Sequence, residues 1–413
     1  MKMNSENVQQ LNSEPQADCG TSSQNFGNTP VVRSQLETNK IYHGNCLDVL
    51  KTFPDNCIDC CITSPPYWGL RDYEHEQQLG NETHFNEFIE NLCNIFDEVK
   101  RVLKDEGTCF INLGDTYGGS GAGTTKFADT NKYLEGSKQV YILPNGVAKS
   151  NQFRNGSLNK SLLLIPERFA IEMLNRKWIL RNEIIWHKPN QMPASVTDRF
   201  TVDFEKIFFF TKKPNYFFEQ QLEKSIWAEF DKRSQIKGGR KSNGKTATGK
   251  YATNKVAYAE GGMRNVRTVW SINTEPCFDG HFATYPQRLV ERMIKAGCPE
   301  FICNNCGKPR LPIIEKEYVK HENWFGEKQN ARHDRGNAGN SYNEIVGRSF
   351  KGLTDCGCNA GFSSGIVLDP FFGSGTTGIY ARKANRNFVG IELNEKYIEI
   401  ANKRLSKELG MFR

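Results

Sequence analysis

Asp59-Cys60-Cys61-Ile62-Thr63 is an apolar run that stops on Ser64-Pro65-Pro66-Tyr67-Trp68. Consecutive prolines fix φ and leave carbonyls that no N–H of their own can claim. Ser64 adds a hydroxyl that donates or accepts a hydrogen bond. The rings of Tyr67 and Trp68 can stack on a planar guest. This combination suits holding a nucleobase by its exocyclic amino group. A strand that simply ends at a Pro-Pro turn would read the same way.

A second stretch, Ile366-Val367-Leu368-Asp369-Pro370-Phe371-Phe372-Gly373-Ser374-Gly375-Thr376-Thr377-Gly378, reads as strand, glycine turn and helix start. The next strand, Phe388-Val389-Gly390-Ile391-Glu392, ends on a carboxylate. Glycines let backbone approach a ligand closely, and a helix N-terminus aims N–H groups at its negative part. An acid at the end of the following strand can take both hydroxyls of a ribose. Gly373, Gly375 and Gly378 spell G-x-G-x-x-G, so a nicotinamide dinucleotide is the competing ligand. Asp369 would put negative charge in the turn, which suits a cation or zwitterion better than a pyrophosphate. S-adenosylmethionine carries a ribose, a sulfonium and an amino-acid tail. Too few residues follow Glu392 to complete a conventional dinucleotide domain.

Together the two stretches resemble the DNA amino-methyltransferases, which methylate the exocyclic nitrogen of cytosine or adenine. Thr63-Ser64-Pro65-Pro66-Tyr67-Trp68 matches the catalytic motif and Asp369-Pro370-Phe371-Phe372-Gly373-Ser374-Gly375-Thr376 the cofactor motif. Their order, catalytic first and cofactor last, is similar to the permuted β group. The stretches at 178–189 and 204–212 are similar to middle strands of that family. His281-Phe282-Ala283-Thr284-Tyr285-Pro286-Gln287-Arg288 resembles the helix that closes over the methionine end of the cofactor. The resemblance implies a doubly wound, mostly parallel, Rossmann-like α/β sheet with circularly permuted motif order. It implies catalytic roles for Ser64, Pro65, Pro66 and Tyr67. S-adenosylmethionine would be held by Asp369, Phe371, Gly373, Ser374, Gly375, Thr376 and Glu392, with Phe388 or Leu393 against the adenine. Asn45 stands where the family often has an acid, so its adenine contact lacks charge. The substrate implied is double-stranded DNA, and a restriction endonuclease acting on the same site is a partner such an enzyme can have. The family pattern links Ser64 to cytosine N4; adenine N6 stays open, as does an inactive DNA-binding protein of the same fold. Ring-carbon methylation needs a Pro-Cys nucleophile turn, and Pro276-Cys277 lacks its flanking residues.

The surrounding chain must position these groups. Residues 1–38 are rich in Asn, Ser, Gln and Thr and read as a disordered tail. Residues 39–213 hold the catalytic half. Within it, helical spacing over 85–96 and a buried strand at 108–113 precede a long glycine-rich loop at 114–160. Helix resumes at 165–174, and strand–helix alternation argues a doubly wound sheet. Residues 214–268 carry Lys232, Arg233, Lys237, Arg240, Lys241, Lys245, Lys250, Lys255, Arg264 and Arg267 among Gly, Ser and Asn. They read as a target-recognition insert, since basic segments follow phosphates and Arg and Asn read base edges. A solvated basic loop would look alike. Residues 269–300 supply the cofactor-closing helix and 361–413 the cofactor half. Between them, residues 301–360 form a zinc-ribbon-like insert. Cys303 and Cys306 form a knuckle, and Cys356 and Cys358 can complete a four-sulfur zinc site, with His321 and His333 as alternative ligands.

The whole chain has 413 residues, enough for a full core plus inserts. Lys+Arg 54 against Asp+Glu 47 gives +7, which permits nucleic-acid binding without requiring it. Thirteen scattered cysteines, including Cys57, Cys60 and Cys61 beside the first motif, fit a reduced setting better than a disulfide framework. No apolar stretch approaches a membrane span, and residues 1–20 contain no signal core, so a cytoplasmic protein without membrane contact is expected.

Overall fold

The computed structural model describes residues 36–70, 75, 77–119, 157–194, 196–224, 263–275, 285–321 and 342–410. Residues 1–35 of the 1–38 tail, most of the 114–160 loop and the middle of the 214–268 insert lie outside those residues, as do 276–284 and 322–341, while Leu36 packs against the core. Strand β1 (Lys40–His43), helix α1 (Cys46–Lys51) and strand β2 (Ile58–Thr63) open the fold. Helix α2 (Phe85–Val102) runs straight into β3 (Leu103–Leu113), and α3 (Ile165–Asn175) precedes β4 (Ile179–His187). Next come β5 (Phe204–Thr211), β6 (Leu222–Lys224), β7 (Met263–Asn265), β8 (Val269–Ser271) and α4 (Gln287–Gly297). Strands β9 (Ile302–Cys303), β10 (Pro312–His321), β11 (Tyr342–Leu353) and β12 (Phe362–Ser363) follow. β13 (Ile366–Asp369), α5 (Thr376–Lys383), β14 (Asn387–Glu392) and α6 (Glu395–Leu409) end the fold.

Eight strands form one sheet in the order β1-β14-β13-β2-β3-β5-β4-β8. The pairings from β1 to β3 are all parallel, and β5 alone runs antiparallel to both its neighbours. The carboxyl ends of β1, β14, β13, β2, β3 and β4 therefore share an edge with the start of β5. From β2 the chain crosses to β3 on one side, while β13 connects to β14 on the other. The junction of β2 and β13 is thus the switch point, where open α/β sheets bind ligands.

Alternation within the strands explains the two layers of helix. Cys61, Cys109, Ile111, Phe208 and Phe210 pack with α1, α2 and α3 residues such as Leu50, Phe88 and Phe169. Their neighbours Cys60, Ile62, Phe110, Ile207 and Phe209 face the opposite way, onto Leu289 and Val290 of α4, Ala381 of α5 and Ala401 of α6. Helix α2 buries Phe85, Phe88, Ile89, Leu92, Phe96 and Val99, a stripe at helical spacing, and His84 caps it by accepting the Asn86 N–H at 3.1 Å. Asp115 caps α3 through Leu164 N–H at 3.0 Å and Ile165 N–H at 3.1 Å. No helix among the described residues is long and apolar enough to cross a membrane.

The inserts attach through short ladders. β6 and β7 pair antiparallel at the base of the basic insert. β10 and β11 form a long antiparallel hairpin, and β9 pairs with β12 at its root.

Candidate active site

β2 and β13 lie side by side, with Val367 opposite Cys60 and Leu368 opposite Cys61. Just beyond that register, Thr63 Oγ1 donates to Asp369 Oδ1 at 2.6 Å. Asp369 is 2% exposed. It also accepts from Phe371 N–H at 3.1 Å, Thr377 Oγ1 at 2.6 Å and Tyr285 OH at 3.1 Å. Burial pushes its carboxyl above the ordinary value, opposed by these hydrogen bonds. Burial and the neighbouring Asp369 charge likewise raise the Tyr285 phenol. Both oxygens of Asp369 are engaged by the protein itself. Asp369 therefore fixes the two strand ends and the turn together.

The turn after Asp369 has separate parts. Gly373 has φ 53°, and a side chain there would meet only the Phe371 carbonyl, 3.9 Å away. Its N–H donates to Glu392 Oε2 at 2.7 Å, while Glu392 Oε1 accepts the Asn394 N–H at 2.9 Å. Burial raises the Glu392 carboxyl, offset by backbone donors. Gly375, at φ 83°, starts α5. Gly378 serves packing, since a Cβ there would stand 2.6 Å from the Phe372 ring. Phe388 is buried and stacks on Phe372 with ring centroids 5.4 Å apart. It is committed to the core and has no face left for an adenine, contrary to the sequence expectation. Leu393 stays half-buried beside His43, whose ring lies 3.1 Å from the Leu393 carbonyl. Ser374 Oγ accepts from Arg404 Nη1 at 2.5 Å and Thr376 Oγ1 from the same atom at 3.3 Å. Phe371 is half-buried at the mouth of the turn. Asn45 caps α1 by accepting the Leu47 N–H at 3.0 Å, beside the Gly44 N–H that donates to the Glu392 carbonyl at 3.0 Å.

At the other strand end, Ser64 Oγ lies 3.4 Å from Tyr67 OH and accepts from Asn112 Nδ2 at 3.4 Å. Tyr67 OH donates to Glu205 Oε2 at 2.7 Å. Asn112 Nδ2 donates to Tyr67 OH at 2.8 Å and to Glu205 Oε2 at 2.7 Å. Lys188 pairs with the other Glu205 oxygen. Asn112 comes from the end of β3, Glu205 from the start of β5 and Lys188 from just past β4. Asn112 is 3% exposed and its Oδ1 accepts no hydrogen bond. A buried orphan acceptor beside Ser64 and Tyr67 is open to a water or to a ligand donor. Gly114 makes room for Tyr67, because a Cβ there would lie 2.5 Å from its ring. Trp68 is core, 2% exposed, with its indole N–H donating to the Glu82 carbonyl at 3.0 Å.

Sequence reasoning gave no role to Asn112, Glu205, Lys188 and Thr377, and placed Tyr285 only within the cofactor-closing stretch. Only Asn112 carried a usable signal, a polar residue inside the apolar run of β3. Outside the cleft, Cys57, Cys60 and Cys61 are buried, and burial pushes the Cys57 thiol up to about 11. Arg264 and Arg267 both donate to Glu223 Oε1, at 3.1 and 2.9 Å. The sulfurs of Cys303, Cys306, Cys356 and Cys358 lie within 4.8 Å of one another.

Comparison with known proteins fits this geometry. A family model described as DNA methylase, covering the N6 and N4 methyltransferases, matches residues 58–305 and 356–403. The type II methyltransferase M.Cfr9I of Citrobacter freundii is 30% identical over 374 residues, 91% of this chain and 90% of that protein. The type II methyltransferase M.SmaI of Serratia marcescens is 31% identical over 374 residues, 91% of this chain and 93% of that protein. With the strand ends of both motifs joined at the switch point, this chain belongs to the N6/N4 DNA methylase family.

Proposed function

We propose that the chain methylates the N4 amino group of a cytosine swung out of duplex DNA, with S-adenosylmethionine as donor. The observation that carries this reading is the Thr63–Asp369 hydrogen bond, which brings the motif of Ser64 and the glycine turn to one edge. The turn fits the cofactor. Glu392 uses one lone pair of each oxygen on backbone N–H groups and keeps others for ribose hydroxyls. Gly373 leaves open space where a side chain would block approach. Asp369 supplies negative charge without a cationic partner among its hydrogen bonds. When bound, S-adenosylmethionine supplies a methyl group on a sulfonium that is already activated.

The chain's own task is positioning. An aromatic amino nitrogen is a poor nucleophile because its lone pair is delocalised into the ring. Ser64 Oγ and the Pro65 carbonyl accept its two N–H groups and favour a tetrahedral nitrogen whose lone pair faces the donor. Pro66 fixes the turn, and Tyr67 stacks on the base. Glu205 and Asn112 hold the Tyr67 hydroxyl and so set the ring plane. The proton leaves to solvent after transfer, so no strong base is needed. Phe371, Gly373, Gly375 and Glu392 line the cofactor side, Ser374 and Thr376 contribute backbone, and Asn45 stands beside Glu392. Extrusion of the base costs a few kcal/mol. The loop at 114–160 and the insert at 214–268 are the segments assigned to DNA. We take the motif order as circularly permuted, because β13 comes near the end of the chain yet pairs with β2, with β14 between β13 and β1. The type II naming of the relatives supports a cognate endonuclease at the same site.

Adenine N6 is the second reading, favoured by a family model that spans both chemistries. Ser64→Ala tests the assignment by transfer of tritiated methyl groups to unmethylated DNA. Turnover should fall by about 100-fold or more, as for loss of one oriented polar contact in a reacting site. Cofactor affinity should stay within about twofold, since nothing holding the turn is touched. Unchanged turnover, or equal loss of turnover and cofactor affinity, would reject the role given to Ser64.

A further inference from the structure

The family model stops matching at residue 305 and resumes at 356. The intervening residues carry the β10–β11 hairpin, so the hairpin lies outside the family model's match. Two cysteine pairs bracket that seam: Cys303 and Cys306 where the chain leaves, Cys356 and Cys358 where it returns. We propose that these four sulfurs bind one zinc ion, which staples the root of the hairpin to the methyltransferase core. This goes beyond the methyl-transfer reading and does not depend on it.

The geometry is that of a closed site. All four sulfurs lie within 4.8 Å of one another. Tetrahedral zinc with Zn–S near 2.3 Å needs sulfurs about 3.8 Å apart. None of the four is in a disulfide. The turns around them are built for it. The Gly307 N–H donates to the Cys303 carbonyl at 3.0 Å and closes the first knuckle. Gly307 at φ 71° and Gly357 at φ 73° each directly follow a cysteine, and a Cβ at either would meet nothing within 4 Å. Left-handed backbone at those positions turns the chain so that both pairs face inward.

Burial separates three of this set from the other cysteines, while Cys303, at the end of β9, is buried like them. Cys46, Cys57, Cys60, Cys61, Cys93, Cys109 and Cys298 are buried, while Cys306 is exposed and Cys356 and Cys358 are half-exposed. Free cysteine is ordinarily among the most buried residues. Packing explains the first group but not three surface thiols converging on one point. The strand ladder at the root is short, supplemented by turn contacts such as the Asn304 N–H to the Gly361 carbonyl at 3.1 Å and Ser363 Oγ to Asn304 Oδ1 at 2.8 Å. β9 and β12 share only the pairs Phe362–Cys303 and Ser363–Ile302. Arg310 Nε donates to the Thr354 carbonyl at 2.7 Å, and Leu311 N–H to Thr354 Oγ1 at 2.9 Å. So short a ladder is marginal alone, and the long loop it closes carries an entropic cost. Four thiolates around Zn²⁺ leave a net charge of about −2, which Lys308 and Arg310, lining the pocket beside Cys356, partly offset. His321 ends β10, nine residues beyond its start at Pro312. Strand rise sets it about 30 Å from the root, out of reach as a ligand.

The cluster sits far from the chemistry. β12 leads into the amino end of β13, and Asp369 ends that strand at the opposite edge of the sheet. The metal is therefore structural, and its loss should free the hairpin without touching the cofactor turn.

The test is metal analysis of the full chain, purified without chelator from zinc-supplemented medium. About one zinc per chain is expected, released when a mercurial reagent titrates the thiols. Cobalt(II) in its place should give the intense thiolate-to-metal absorption of four sulfur ligands, a measurement that needs no variant. Cys356→Ser with Cys358→Ser should lower zinc at least tenfold and speed proteolysis within residues 306–355. S-adenosylmethionine affinity should stay within about twofold. Folded protein with under about 0.1 zinc per chain would overturn the proposal. So would a cobalt spectrum with fewer than four thiolates, or full zinc in the double variant.

Discussion

Replacing Thr63 with valine keeps the shape of the side chain and removes its hydroxyl. Thr63 is 1% exposed and Asp369 2%, so no water stands ready to take the place of the 2.6 Å bond. The change leaves Asp369 Oδ1 with only the Phe371 N–H at 3.1 Å. Hydrogen bonds to charged groups contribute about 1.5–3 kcal/mol, so Thr63→Val should lose about 2 kcal/mol of stability at pH 8. The loss depends on pH. Burial already raises the Asp369 carboxyl, and Thr63 is one of the groups holding it down. Without Thr63 the folded pKa rises further. The destabilisation is therefore complete where Asp369 is ionised and shrinks as pH falls through that raised value. Urea unfolding gives the number: the midpoint should drop with little change in slope. Thr63→Ser should restore most of it. In a double-mutant cycle with Asp369→Asn, the pair should show coupling of about 1 kcal/mol or more. Thr63→Val within about 0.5 kcal/mol of wild type at pH 8, or no coupling to Asp369, would refute the joint between the strands.

Three further outcomes follow from the same geometry. Gly114→Ala places a Cβ 2.5 Å from the Tyr67 ring. Overpacking of that kind costs about 1–3 kcal/mol, and a ring shifted by about 1 Å should cut turnover about 100-fold with cofactor affinity unchanged; calorimetry beside a methylation assay checks it. Glu392 should hold ribose hydroxyls as a carboxylate, and burial raises it above an ordinary 4.5. Cofactor affinity should then fall as pH drops through that raised value, and Glu392→Gln should bind weakly with a flat profile in pH-dependent calorimetry. The stability effect of the same group has the opposite sign: a raised carboxyl stabilises the fold below its ordinary pKa, and that contribution is lost as pH rises through the folded value. Chemical denaturation of Glu392→Gln should show a flatter dependence across that window.

The two motifs were legible because each is local. A strand, a turn and the next residues lie within a dozen positions, and proline and glycine mark the turns. The doubly wound sheet followed from strand–helix alternation. Asn112, Glu205 and Lys188 were not legible, because what brings them to Tyr67 is sheet order. β5 enters between β3 and β4 in reverse, so its first residues, not its last, reach the edge. Nothing local in Phe204-Glu205-Lys206 announces that reversal. Between Phe388 and Leu393 the choice is hidden for a related reason: alternation along β14 turns Phe388 to the Phe372 side of the sheet. For Ser374 and Thr376 the turn alone gives no sign of the distant side chain that bonds their hydroxyl oxygens. Arg404, thirty residues later for Ser374, takes both hydroxyls. The cysteine pairs were legible from spacing, while the hairpin between them was not, since residues 312–321 and 342–353 meet only through long-range pairing.

The most direct measurement is mass spectrometry of nucleosides from the DNA of a methylation-deficient host that expresses this chain, beside the same host expressing Ser64→Ala. The account requires N4-methyldeoxycytidine in the first and its near absence in the second. DNA with no methylated nucleoside in either, although the protein is folded and binds S-adenosylmethionine, would contradict it.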